Sequence, residues 1–251
     1  MEKAIDMTKD RTYYLDNIRT IIIGLFVAHT CEIYHLKEGF YVEGDKSLVP
    51  TLIYGFLTSW YMSVLFFIAG LTTMYSLKKR TIKEYYMKRF KRLLVPFFVG
   101  LFLWVPIQSY YTLRNHYDFD GNALDVYKHF FTTYMLIPMH DMDVWSIDYA
   151  WRRLVWAISC TTAVFGTIGF GQRFLNKTNA LMKYLSSKSF AIYYIHMTVV
   201  ITVGYYVLEY MNCGVGGQIG IIIGVSVVIT FMLVEIVKRI PWLNGMLGMK
   251  R

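Results

Sequence analysis

Four stretches of this chain carry no Asp, Glu, Lys or Arg, and each is long enough to cross a bilayer. They lie between Lys46 and Lys78, Arg92 and Arg114, Arg153 and Arg173, and Lys188 and Glu209. At about 1.5 Å of rise per helical residue, each spans a hydrocarbon layer of roughly 30 Å, where the backbone must satisfy its own hydrogen bonds. Two further spans are less clean. Ile18 to Tyr34 is apolar apart from Arg19, His29, Cys31 and Glu32, and Gly216 to Val237 holds Glu235 near its end. The expectation is an all-α integral membrane protein with about six transmembrane helices in one bundle. A hydrophobic fraction of 55% and a mean hydropathy of +0.37 exceed what a soluble core requires.

Orientation follows from the cations. With a cytoplasmic N-terminus, the inner segments are 1–19, 78–92, 172–188 and 238–251, and they hold 20 of the 26 Lys and Arg. The outer loops hold most of the acidic residues, including Asp118, Asp120, Asp125, Asp141 and Asp143. This positive-inside pattern places both termini in the cytoplasm. The net charge of +9 is then used for topology, and no separate basic domain points to nucleic acid. The segments group into a single domain: three helices over 18–113, an outer segment over 114–153, and three helices over 154–237. No signal peptide is expected. Three cysteines without metal-ligand spacing suggest neither a disulfide framework nor zinc, and the scattered His35, His116, His129 and His140 add no metal signature, so no metal site is expected.

Chemistry concentrates in the first span. His29 lies ten residues beyond Arg19, about 15 Å deeper and near mid-bilayer, where an ionisable ring is costly unless used or paired. Glu32 stands at i+3, on the same helical face, where a carboxylate can hold the imidazole in the tautomer that leaves its other nitrogen free as a base. A neutral histidine bridging two helices is the plain alternative. His196, in "FAIYYIHMTVV", is a second intramembrane histidine on a helix that could face His29; structural packing is the stronger reading of it, because no acidic residue lies within a turn. The run 78–92 holds eight cations and one carboxylate. In it Arg89 and Arg92 share a face with Lys88 on its flank. A guanidinium pair matches phosphate oxygens bidentately, whereas a polybasic loop on anionic lipid is the commoner use of such a run.

In order along the chain, "YYLDNIRTIIIGLFVAHT", "WYMSVLFFIAGLTTMYSLKKRT" and "YYMKRFKRLLVPFFVGLFLWVPIQSYY" resemble the amino-terminal part of type 3 transmembrane acyltransferases, nearest their glucan biosynthesis protein C subgroup. "RFLNKTNALMKYLSSKSFAIYYIHMTVV" and "LVEIVKRIPWLNGMLGMK" resemble the end of the same proteins. The resemblance implies an enzyme of a bacterial inner or plasma membrane that moves an acyl group from cytoplasmic acyl-CoA to a hydroxyl of an extracytoplasmic glycan. It carries no bound cofactor. His29 is then the general base assisted by Glu32. Arg89 and Arg92, with Lys88 and Arg19, seat the phosphates of coenzyme A, and His196 meets the substrate. Expected partners are acyl-CoA, a carbohydrate acceptor and membrane lipid, with a homo-oligomer admissible.

Two departures stand out. The family usually places ten residues between the arginine and the histidine, whereas nine separate Arg19 from His29. Family members generally have ten helices, and here "FFTTYMLIPMHD" runs into "MDVWSIDYAW" without the central ones. The loss of an even number of helices preserves the topology. A non-catalytic truncated relative or assembly partner, motivated by the missing centre, and a small proton-coupled transporter, motivated by His29, Glu32 and His196, remain as alternatives.

Overall fold

The computed structural model describes residues 17–18, 23–37, 39–77, 81–129 and 179–240, together with isolated positions between 158 and 174. Its regular elements are helical, with no strand among the described residues. In chain order they are α1 (Ile23–Ile33), α2 (Leu48–Leu77), α3 (Ile82–Val99), a π-helical turn (Gly100–Trp104), α4 (Val105–His116), α5 (Ala123–His129), α6 (Ala180–Tyr210) and α7 (Val215–Arg239). Three helical stretches among these residues, Leu94–His116, Ala180–Tyr210 and Val215–Arg239, are long and apolar enough to cross a membrane. The fourth expected span, between Arg153 and Arg173, lies largely outside the described residues.

Local sequence explains where several helices begin. Thr81 and Glu84 form a capping box at α3: the Thr81 hydroxyl accepts from the Glu84 N–H and the Glu84 carboxylate from the Thr81 N–H, both at 3.3 Å. Asn179 caps α6 by accepting from the Met182 N–H at 2.8 Å. Proline shapes the third span. Pro96 lacks the N–H that would bond one turn back, and a π turn follows at Gly100–Trp104 before Pro106 enters the first turn of α4. The Tyr194 hydroxyl of α6 donates to the Pro96 carbonyl at 2.6 Å and so ties this irregular region to the centre of the bundle.

The central element is α6, apolar on nearly every side over its middle turns, with Ala191, Ile192, Ile195, Val199, Val200, Ile201, Val203 and Val207 all buried. α1 crosses it so closely that a Cβ on Gly204 would stand 2.7 Å from Ile33 Cδ1. α7 packs along α6 through residues spaced by four, Gln218, Ile222, Ser226, Thr230 and Val234. Its opposite side exposes Val225, Val228, Met232 and Ile236, as α2 exposes Phe56 and Phe66 and the third span exposes Phe97, Phe98 and Phe102. So much bare apolar surface suits lipid and not water.

A short segment closes the bundle at the end where α1 finishes. Gly44 N–H donates to the Ile33 carbonyl at 3.0 Å and Ser47 N–H to the Tyr34 carbonyl at 2.9 Å. The Glu43 N–H reaches Asn115 Oδ1 at 2.8 Å, and His116 Nε2 donates to the Phe40 carbonyl at 2.8 Å. Phe40 and Val42 are thereby folded inward and buried. This cap sits directly over the residues described next.

Candidate functional site

His29, two-thirds of the way along α1, faces α6. Its Nδ1 lies 3.1 Å from Glu32 Oε2, one turn further on. A carboxylate there can only accept, so the ring proton sits on Nδ1 and the lone pair on Nε2 is left outward. The pair is 21% exposed on each side chain, enough for a small reactant to touch the ring. Glu32 is held in turn by α2, whose Tyr54 hydroxyl donates to Oε1 at 2.5 Å. The cap covers the other side, with Phe40 stacked on His29 at 6.4 Å between centroids and 8° between planes.

His196 approaches from α6, its ring centroid 5.3 Å from that of His29. Its Nδ1 donates back into its own helix, to the Tyr193 carbonyl at 2.6 Å with the Ile192 carbonyl at 3.2 Å. Two carbonyls at one nitrogen place the proton there as well, and Nε2 is an acceptor. That Nε2 is buried without a hydrogen-bond partner, on a side chain only 2% exposed. Phe26 of α1 meets the same ring edge-on at 5.5 Å. The site thus brings two imidazoles together, each with its Nδ1 engaged by oxygen, and the Nε2 of His196 has no hydrogen-bond partner.

The cationic half is described by backbone position. Lys88, Arg89 and Arg92 lie on α3, and their side chains are outside the described residues, as is Arg19 altogether. Two contacts relate this span to α6: the Tyr194 hydroxyl reaches back to the Pro96 carbonyl, and Gln108 donates to Thr198 at 2.8 Å. Arg92 lies four residues before Pro96 and sixteen before Gln108, with Arg89 one turn earlier still, so the α3 cations stand toward the opposite end of this span from the level of His196.

Sequence reasoning did not find Tyr54 or Phe40. Tyr54 lies 22 residues from Glu32, on another helix, and Phe40 lies in a connection whose inward fold leaves no periodic trace. Three groups of the type needed for a metal centre do not converge anywhere among the described residues.

Residues 12–149, more than half of the chain, match the model of the type 3 acyltransferase family described as an acyltransferase domain. The chain belongs to the type 3 acyltransferase family. The matched region includes α1 to α5 and with them His29, Glu32, Tyr54 and the α3 cations; His196 lies beyond it. An acyltransferase-type function and membrane association follow from this membership and the three membrane-length helices. No curated protein and no solved structure gave a match to the chain.

Proposed function

We propose that this type 3 acyltransferase is a membrane O-acyltransferase that moves an acyl group from cytoplasmic acyl-CoA to a hydroxyl of an extracytoplasmic glycan, in the manner of the glucan biosynthesis protein C subgroup. The chain crosses the cell membrane six times with both termini cytoplasmic. The observation that carries the reading is the contact of Glu32 with His29 Nδ1, which leaves Nε2 for the acceptor hydroxyl, in a chain of an acyl-transferring family.

His29 Nε2 takes the proton of the acceptor hydroxyl as the oxygen attacks the thioester carbonyl. The carbon–sulfur bond breaks, and the departing thiolate of CoA recovers the proton from the imidazolium. Glu32 stabilises that imidazolium, and the buried Nε2 of His196 accepts a hydrogen bond from the substrate. Arg89 and Arg92, with Lys88 and Arg19, hold the phosphates of CoA at the inner surface, where paired guanidinium groups bind phosphate best. The axial offset between the α3 cations and the histidines leaves the thioester arm to bridge the two, so the charged nucleotide need not enter the membrane.

The test is acyl transfer by the purified protein in liposomes supplied with radiolabelled acyl-CoA and glycan acceptor. His29→Ala is expected to lower transfer by at least about 100-fold while acyl-CoA binding stays near that of the wild type. Replacing Arg89 and Arg92 by alanine raises KM for acyl-CoA. Unchanged transfer in His29→Ala removes the base assignment.

A further inference from the structure

Nothing in the family membership assigns a role to Tyr54, yet it makes the contact on which the orientation of His29 depends. Glu32 has two oxygens. Oε2 serves His29 Nδ1 at 3.1 Å, and Oε1 accepts from the Tyr54 hydroxyl at 2.5 Å. Without the second contact the carboxylate is free to turn about its last torsion, which has a broad profile, and Nδ1 loses its fixed acceptor.

Tyr54 is itself positioned from two sides. Its ring meets His35 edge-on at 5.0 Å. One turn before it, Thr51 pins the start of α2 to the segment after α1, accepting from the Leu36 N–H at 3.0 Å and donating to the Ser47 carbonyl at 2.7 Å. Among the described residues, the titratable groups around the carboxylate are His29 on its own helix, Tyr54 on α2, Tyr41 in the cap and, beyond His29, His196 on α6.

We propose that Tyr54 is a positioning residue: its hydroxyl clamps Glu32 so that the carboxylate holds His29 with Nε2 toward the substrate. The inference rests on the assignment of His29 as the base. It differs from a packing role in what it predicts for a one-atom change, since Tyr54→Phe keeps the ring against His35 and removes only the donor.

Two readouts keep the outcomes apart. The tautomer of His29 is followed by the 15N chemical shifts of its ring in the wild type, Tyr54→Phe, Glu32→Gln and the double variant. Loss of the fixed carboxylate releases the Nδ1 proton, so the share of the Nδ1–H tautomer falls in Tyr54→Phe and in Glu32→Gln, and the double variant falls no further than Glu32→Gln alone. In the transfer assay, kcat falls about ten-fold in Tyr54→Phe with KM for acyl-CoA unchanged, the size of one hydrogen bond to a charged group. A tautomer share that rises or stays put in Tyr54→Phe, additive changes in the double variant, or an altered KM with unaltered kcat overturns the role of Tyr54. Tautomer shares that move as expected in a protein without transfer activity keep Tyr54 as the clamp and refute the acyltransferase mechanism. Transfer that needs His29 but ignores Tyr54→Phe does the reverse.

Discussion

Removing the carboxylate of Glu235 should harm this protein more than removing the cation it serves. Lys188, on α6, is only 3% exposed, and its ammonium pairs with Glu235 of α7 while lying 3.7 Å from the centroid of the Tyr184 ring; Tyr184 also donates to Glu235. The burial is one-sided, because Glu235 is 42% exposed. Stripping a buried charge of its partner costs about 3–5 kcal/mol when no water can replace it. Solvent at the Glu235 end discounts this to about 2 kcal/mol for Glu235→Gln, with the tyrosine face as the remaining partner. Lys188→Met keeps the apolar stem and leaves the carboxylate where water reaches it, so its cost is about 0–1 kcal/mol. The double variant should resemble Lys188→Met. Thermal unfolding in detergent checks this, with the midpoint of Glu235→Gln about 4–8 °C below the wild type. Equal and additive losses for the two single variants would refute the argument, since they would show that the ammonium does not depend on this carboxylate.

Two more predictions concern the cap. A Cβ at position 44 would lie 2.7 Å from Leu208 Cδ2 and 2.9 Å from Tyr34 Cε1, and Tyr34 cannot yield because it is fully buried and donates to Gln218 at 3.0 Å. Gly44→Ala should therefore lift the cap at a cost of about 1–2 kcal/mol, seen as faster amide exchange over 39–47. Burial alone would raise the Glu43 carboxyl, but hydrogen bonds from Lys46 and from the Gly39 N–H outweigh it and hold the group below its ordinary 4.5. A lowered carboxyl stabilises the fold above its unfolded value and ceases to do so as pH falls through the folded one. Cap protection should be constant above about pH 5 and decline below pH 4.5, and in Glu43→Gln that decline should be lost.

The long helices were legible because charge-free length is nearly the whole physical requirement for crossing a membrane. Their ends were less so. Lys188 read as the edge of one apolar span and Glu235 as a charge near the end of another, yet the helices run on past both, α6 starting eight residues before Lys188 and α7 ending four past Glu235, because a helix continues through the headgroup zone. The proximity of His29 and Glu32 is intrahelical, and spacing alone supplies it. The approach of His196 depends on α1 crossing α6 near Gly204, and the clamp of Tyr54 on α2 packing beside α1. Periodicity assigns a residue to a face; it does not say which neighbour that face will meet. The inward fold of Phe40 lay further out of reach, since it hangs on bonds from the cap backbone to the Ile33 and Tyr34 carbonyls and to the Asn115 side-chain oxygen.

The π turn at Gly100–Trp104 carries a consequence for the upper half of its span. One surplus residue in a helix rotates everything after it by about 100°. As the chain stands, that rotation lets Gln108 donate to Thr198 of α6 at 2.8 Å and brings His116 to the cap carbonyl of Phe40. Excising a single residue from this turn would straighten it into an α-helix and swing both side chains a quarter-circle away. The roof over the paired imidazoles is thus indexed by chain length at a point four turns beneath it.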